Sequence, residues 1–129
     1  MKRNFVFLLI IVGLLAAFSC KEYENIEIAD LPLDSAQTGI YTGEYNTTLV
    51  KVKVKVQIED YSIKNIEILK HQCGRGKEAE KITDDVIEAQ SLQVDAITGA
   101  TYSSKVILKA IENAIQKSLN SKQSGGQLQ

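Results

Sequence analysis

The stretch VKVKVKVQI at residues 50–58 constrains the fold more than any other part of the sequence. Valine or isoleucine occupies every second position from Val50 to Ile58, and lysine or glutamine stands between them. Because side chains of a strand alternate between the two faces of a sheet, this period predicts a β-strand with one buried and one wet face. We interpret the lysines as solvated residues that discourage edge pairing, and an anion or headgroup patch is the alternative.

Two neighbouring segments extend this strand into a sheet. TGIYTGEYN at residues 38–46 places Tyr41 and Tyr45 around glycines in a strand-like context, and IKNIEILK at residues 63–70 follows a predicted turn at residues 59–62. The three segments therefore predict an antiparallel hairpin or meander.

Two helices are predicted after these strands. Ile82, Val86 and Ala89 have helical spacing, and that helix should end near Gln90. From residue 106 to Leu119, apolar residues recur at steps of three and four. Polar side chains fill the opposite side of this second helix: Lys105, Lys109, Glu112, Asn113, Gln116 and Lys117. The predicted fold class is α+β, with a small antiparallel sheet and at least two packed helices.

A turn rich in hydroxyl groups precedes the second helix. Residues 98–104 contain four serine or threonine hydroxyls together with Gly99. One hydroxyl would be enough to cap the helix. The surplus, next to a glycine that permits close approach, is typical of a phosphate site at a helix N-terminus, where free amides and the helix dipole favour an anion.

The first twenty residues predict export. MKR is a short basic start, FVFLLIIVGLL is an eleven-residue apolar run, and AAFSC supplies small residues before Cys20. This ending resembles a bacterial lipoprotein signal, in which Cys20 becomes the lipidated first residue. An uncleaved helix from Asn4 to Ser19 is the alternative. Both interpretations put the following chain outside the cytoplasmic membrane, because Lys2 and Arg3 hold the N-terminus inside.

These features define the expected organisation and exclude several classes of function. We expect a signal peptide at 1–19, a lipidated N-terminus and tether at 20–37, one domain at 38–120 and a disordered tail at 121–129. Without Lys2 and Arg3, 13 of the 15 basic residues remain against 16 acidic ones, which argues against a nucleic-acid partner. With Cys20 lipidated, Cys73 has no internal disulfide partner, and a single histidine without clustered ligands does not support a metal centre.

The segment DAITGATYS at residues 95–103 resembles the attachment motif of the FMN-binding domain family. That motif is an Asp, two residues, Ser or Thr, Gly-Ala-Thr, one residue, and Ser or Thr. The resemblance continues outside the motif, since GIYTGEY resembles the family's first strand, VKVKVQIEDYSIKNIEILKH its central hairpin, and IEAQSLQVDAITGATYSSKVILKAIENAI its C-terminal half. The family includes flavin-bearing subunits of sodium-translocating respiratory complexes and small exported electron carriers. Residues 38–120 are therefore expected to form an FMN-binding domain.

The resemblance also implies which residues serve the cofactor. In the family the last hydroxyl of the motif forms a phosphoester with FMN, which here falls on Ser103, with Thr101 and Ser104 as lesser candidates. A separate exported flavin transferase, dependent on FAD and a divalent metal, is implied as the maturation enzyme. Asp95 is expected to be the acid that this enzyme and its metal recognise, or else an ordinary cap. The other cofactor-binding residues expected from the motif and from the loop after the hairpin are Thr98, Gly99, Ala100, Thr101, Tyr102, His71 and Gly74, with Arg75 beside them.

The implied function is an extracytoplasmic electron-transfer module that carries covalent FMN. It would be anchored to the membrane by lipid and would exchange electrons with membrane partners, so it is more an electron carrier than an enzyme with its own substrate. Three alternatives remain open: a protein that binds FMN without a covalent bond, a small flavin-dependent reductase, and a non-redox surface lipoprotein that keeps the fold. Tyr102 is expected either to pack in the core or to lie against the isoalloxazine ring.

Overall fold

A computed structural model describes residues 26–72 and 76–124. Strands β1 (Gly39–Asn46), β2 (Lys51–Glu59) and β3 (Ser62–Gln72) precede helices α1 (Ile82–Ala89) and α2 (Thr101–Ser124), with short 3₁₀ helices at Leu33–Ser35 and Lys77–Lys81. The strands form an antiparallel sheet in the order β1-β2-β3. The predicted small α+β fold with at least two helices is confirmed. The predictions for the signal peptide, Cys20, Cys73, Gly74 and Arg75 lie outside the described residues.

The alternating segment forms the central strand of the sheet. The side chains of Val52, Val54 and Val56 are fully buried, whereas Lys51 and Lys53 are exposed on the opposite face. A two-residue turn joins β2 to β3, and both of its residues, 60 and 61, have positive φ angles of 51° and 61°. Turns of this kind match the right-handed twist of an antiparallel hairpin, so they bring β3 directly alongside β2.

Helix α2 packs on the buried face of the sheet and runs antiparallel to β1. The hydroxyl of Tyr41 lies 3.4 Å from Oγ of Ser121, while Nδ2 of Asn113 donates to the carbonyl of Glu44 at 2.9 Å. Residues nearer the end of β1 therefore contact residues nearer the N-terminus of α2. The first half of α2 consequently points to the end of the sheet where β1 and β3 finish.

Helix α1 has the predicted position and is held at the β3 edge of the sheet, opposite β1. Ile82 and Val86 are fully buried, and the helix ends before Gln90, which has a left-handed backbone. The Gln90 side chain accepts a hydrogen bond from the amide of Ile63 at 2.8 Å and donates to the carbonyl of Ile63 at 2.9 Å. Gln90 thereby makes the two hydrogen bonds to the start of β3 that a neighbouring strand would otherwise make.

The segment expected to be a tether packs on the domain as far forward as Ile26. Ile26 and Ala36 are 8% and 1% exposed, and the amide of Gln37 donates to the carbonyl of Ser118 at 3.3 Å. At the other end, α2 continues to Ser124, within the segment expected to be a tail. The packed part of the chain is thus longer at both ends than residues 38–120.

Residues 26–29, which we call the N-terminal strap, lie across α2. The amide of Ala29 donates to the carboxylate of Glu112 at 3.0 Å, and Glu112 also pairs with Lys109 at 2.9 Å. Nζ of Lys109 in turn donates to the carbonyl of Glu27 at 3.0 Å. Glu112 belongs to the polar side of the helix, yet the strap covers it and leaves it 6% exposed. In residues 26–72 and 76–124, no helix has the length and apolar character needed to span a membrane.

Candidate functional site

The hydroxyl-rich segment forms the first turn of α2, although it was expected to precede the helix. The carbonyl of Ala100 accepts the first helical hydrogen bond, from the amide of Ser104 at 3.0 Å, and the amide of Ala100 bonds to the carbonyl of Ile97 at 2.9 Å. The helix therefore begins at Thr101. Four successive residues, 101–104, present their side chains in different directions around this turn.

Ser104 joins the preceding turn to the helix. Its hydroxyl accepts a hydrogen bond from the amide of Ile97 at 3.0 Å and donates to the carbonyl of Ala100 at 2.8 Å. The residue is fully buried. The hydroxyl thus acts as both donor and acceptor in holding residues 97–100 against the start of α2.

Exposure separates the other residues of the first turn. Ser103 is 5% exposed, and Tyr102 is half-buried and packs against the hydrophobic core. Thr101 is exposed to solvent. Among the serine and threonine residues within 101–104, all of which the structure describes, Thr101 is exposed and Ser103 and Ser104 are buried. Tyr102 has the core contact that was one of its two expected roles.

The backbone ahead of the helix leaves space for an anion. Gly99 has a φ of +82°, which glycine adopts more readily than other residues, and a Cβ placed on it would meet no atom within 4 Å. Thr98 beside it is exposed, whereas Ala100 is buried in the core. The amides of a first helical turn have no carbonyl acceptor in their own helix and lie at the positive end of its dipole. The open turn therefore fits a phosphate group.

Two depressions lie on either side of the segment 93–95, which leads to this turn. The first, which we call the acidic groove, has a volume of about 570 Å³ and is lined by Asp85, Glu88, Ala89, Gln93, Val94 and Asp95. The second, which we call the Lys105 groove, has a volume of about 370 Å³ and is lined by Ile28, Leu92, Gln93, Val94, Asp95, Ala96, Lys105 and Leu108. Asp95 is exposed and lies on the rim of both.

His71 lies at the end of β3, on the side of the sheet towards which the first half of α2 points. Its side chain is 2% exposed, and its Nδ1 atom lies 3.0 Å from a carboxylate oxygen of Glu80. Glu80 belongs to the 3₁₀ helix Lys77–Lys81. His71 is thus held within the domain by an acidic partner. In the described part of the chain, no group of three or more His, Cys, Asp or Glu residues is arranged to hold a metal ion.

Comparison with known families identifies the fold. A family model described as FMN-binding domain matches residues 49–116, which is more than half of the chain. The chain belongs to the FMN-binding domain family. The matched range of this FMN-binding domain covers β2, β3, α1, the motif at 95–103 and most of α2. A comparison with curated proteins found no match.

Sequence reasoning missed two residues that line the Lys105 groove beside the family motif. Lys105 follows Thr101 by four residues, so helical spacing from the motif was a signal that would have placed both on one face. Ile28 lies more than sixty residues before the motif in a segment without periodicity. Ile28 lies beside the motif because the N-terminal strap packs across α2.

Proposed function

We propose that this FMN-binding domain carries FMN in a covalent phosphoester at the start of α2 and transfers electrons outside the cytoplasmic membrane. The observation that carries the proposal is the open backbone at Gly99 directly before the first turn of a helix that contains Ser103, the last hydroxyl of the motif. The family match supports FMN as the cofactor. A phosphate at this position would be stabilised by the helix dipole and the first-turn amides.

Ser103 is the acceptor that the family pattern implies, because it carries the last hydroxyl of the motif. It lies in the first turn of α2 and is 5% exposed, whereas Thr101 is exposed to solvent. A transferase has to bring the phosphorus of FAD within bonding distance of the acceptor oxygen, so attachment at Ser103 requires local movement of this turn. We assign the ester to Ser103, with Thr101 and Ser104 as lesser candidates.

Attachment would proceed by phosphoryl transfer catalysed by a separate enzyme. The hydroxyl oxygen of Ser103 would attack the FMN phosphorus of FAD, the pyrophosphate bond would break, and AMP would leave. The hydroxyl proton would pass to a base of the transferase. Asp95 is exposed on the rim of both grooves, so it is accessible to the transferase and its divalent metal.

Residues of the domain would then hold the cofactor while its ring exchanges electrons. Bound FMN supplies reversible one- and two-electron chemistry. Gly99 would admit the phosphate, and Ser104 would keep the turn closed on the helix. Acylation of Cys20 would keep the domain at the membrane, where its electron donors and acceptors lie.

Mass spectrometry of the exported protein tests this proposal. The chain is co-expressed with an active flavin transferase in the exporting compartment, and the added mass of FMN minus water is sought in the peptide that contains residues 101–103. Ser103→Ala should abolish the adduct, whereas Thr101→Val should keep it. Asp95→Asn should lower the yield of adduct without unfolding the domain, because the exposed carboxylate is required by the transferase.

Each alternative gives a different result in the same experiment. Loss of the adduct in Thr101→Val but not in Ser103→Ala would move the ester to Thr101. Flavin that is released on denaturation would support a non-covalent FMN protein, and turnover with NADH alone would support a reductase. A colourless protein after co-expression would overturn flavin attachment and favour a surface lipoprotein without a redox role.

A further inference from the structure

We propose that one end of the outer face of the sheet is a docking site for an acidic electron-transfer protein. This surface, which we call the lysine face, consists of Lys51 and Lys53 of β2, Lys70 of β3, and the exposed leucines Leu49 and Leu69 beside them. The inference rests on the proposed function, because a domain that carries a redox cofactor needs a surface on which its partner binds. The surface itself is built from residues outside the motif at 95–103.

The position of β2 in the sheet leaves its lysines without a role in edge protection. Lysines on a strand commonly discourage pairing with other chains, and that role belongs to edge strands. β2 is instead the central strand, hydrogen-bonded to β1 and β3 on its two sides. The edge of β1 is covered by α2, whose Lys117 side chain donates to the carbonyl of Thr42. The lysines of β2 therefore need another explanation.

A β-bulge adds a third lysine to this face. The register of β3 shifts by one residue after Ile68, so that Lys70, rather than Leu69, pairs with Lys53. Without the extra residue, Lys70 would lie opposite Val52, whose side chain faces the core. The bulge thus places Lys70 on the outer face directly across from Lys53, and it leaves Leu69 46% exposed. Like charges directly opposite each other destabilise a sheet, and a binding role explains why this arrangement is present.

The charge of the lysine face is not balanced by nearby carboxylates. Within residues 26–72 and 76–124, none of the ion pairs includes a lysine of this face. Lys55, farther along β2, is by contrast paired with Glu67 at 2.8 Å. Glu44, the residue of β1 that pairs with Lys53, accepts a hydrogen bond from the side chain of Asn46. The lysine face is therefore a positive patch on a chain that has 16 acidic and 15 basic residues overall.

The lysine face lies at the end of the sheet towards which the first half of α2 points. Lys51 begins β2 there, and Leu49, in the turn before it, is 57% exposed. A partner bound at this end is on the same end of the domain as Ser103 and the proposed cofactor. Leu49 and Leu69 add apolar area to the charged surface, which suits the small and transient interfaces of electron-transfer proteins.

The N-terminal strap favours a protein over a lipid bilayer as the partner. The strap lies across α2, where Nζ of Lys109 donates to the carbonyl of Glu27. Because α2 covers the buried face of the sheet, the strap and the lysine face lie on opposite sides of the sheet. A lipid on Cys20, separated from the strap by residues 21–25, would hold the helix side towards the membrane. The lysine face would then point into the compartment, where its charge steers an acidic protein onto it.

NMR of the full exported protein in bilayer discs tests both the surface and the class of its partner. A small acidic iron–sulfur ferredoxin is the probe, a basic c-type cytochrome is the control protein, and phosphatidylglycerol added to phosphatidylcholine discs tests the lipid. The ferredoxin should shift the amide signals of Lys53, Leu69 and Lys70 most strongly. The proposal is overturned if the ferredoxin causes no such shifts, or if the cytochrome or phosphatidylglycerol causes equal ones.

Charge reversal on one strand measures what the lysine face contributes to binding. Lys70→Glu should raise the dissociation constant for the ferredoxin about tenfold at low salt, because the partner is no longer attracted by this charge. Lys53→Glu should act in the same direction. Lys64→Glu, which reverses an exposed lysine near the other end of β3, is the matched control and should change the constant less than about twofold. Equal dissociation constants in Lys70→Glu and Lys64→Glu would overturn the inference.

The intact mass separates failure of this inference from failure of the proposed function. Binding of the ferredoxin is measured on protein with and without the FMN adduct, and the mass reports which form is present. Protein that carries FMN but does not bind the ferredoxin through the lysine face would overturn this inference alone. Protein that never acquires FMN would overturn the proposed function, and with it the electron-transfer role of the partner, even where the ferredoxin still binds.

Discussion

Gly43 of β1 lies directly against the backbone of Ala110 in α2. A Cβ atom placed on Gly43 would stand 1.9 Å from the carbonyl oxygen of Ala110 and 2.6 Å from the amide nitrogen of Ala114. Both atoms belong to the helix backbone, so no side-chain rotation relieves the contact. Glycine at this position therefore sets how closely α2 approaches the sheet.

Gly43→Ala is expected to lower the free energy of unfolding by about 3 kcal/mol, because α2 must move away from β1. Urea denaturation followed by circular dichroism measures the change. Thr42→Ala on the same strand is the control. It removes a half-buried side chain from the other face and should cost about 1 kcal/mol or less. Equal losses in the two variants would contradict the close approach of helix and sheet.

Ser104→Ala is expected to destabilise the domain by about 1–3 kcal/mol, since it removes both hydrogen bonds that fix the turn before α2. The yield of FMN adduct should fall with it, because the turn presents the acceptor. Ser118→Ala is the matched control within the same helix. Ser118 is also fully buried, but its hydroxyl bonds only to the carbonyl of Ile115, as far as the described contacts go. Normal adduct yield in Ser104→Ala would show that this turn has no part in attachment.

Glu112→Gln is expected to lower stability by about 1.5–3 kcal/mol and to loosen the N-terminal strap, because the amide cannot pair with Lys109 as the carboxylate does. Hydrogen exchange should show reduced protection of the Ala29 amide. Glu67→Gln is the control, since Glu67 forms an exposed ion pair with Lys55 at 2.8 Å and should contribute less than about 1 kcal/mol. Unchanged protection of Ala29 would argue against the strap being held by Glu112.

Local patterns in the sequence were enough to predict the sheet and α1. The period of two placed β2 within a residue of its observed bounds, because each apolar side chain faces the same buried surface. The spacing of Ile82, Val86 and Ala89 likewise gave the extent of α1. In both elements the apolar side chains face the same core, and for that reason apolar residues recur at a regular spacing along the chain.

The start of α2 and the burial of Glu112 on its polar side could not be predicted in the same way. Serine and threonine are common both as helix caps and within a first turn, so the sequence alone did not fix the start at Thr101. The burial of Glu112 depends on Ala29, which lies 83 residues earlier. A contact of that separation leaves no period in the sequence, and the strap itself has none. The burial of Ser103 and the exposure of Thr101 also follow only from the observed helix start.

Cys20→Ser is expected to release the protein from the membrane fraction and to abolish labelling by a fatty-acid analogue, because the thiol at position 20 is the predicted acylation site. Fractionation and labelling of exported protein measure both effects. Ser19→Ala serves as the control and should keep label and location, since a small residue remains before the cysteine. Full label and full membrane recovery in Cys20→Ser would favour an uncleaved helix from Asn4 to Ser19.

With the proposed lipid on Cys20, the packing of Ile26 on the core would leave a leash, meaning the linker between lipid and domain, of five residues, 21–25. Even fully extended, that leash spans about 20 Å. A domain held so closely would search for its redox partners in two dimensions, and its effective concentration towards proteins of the same membrane would be high. It would not shuttle electrons across a wide compartment. A glycine-serine insert after residue 21 would lengthen this linker. It would lower the rate of encounter with proteins of the same membrane and increase the distance from the membrane that the domain can reach.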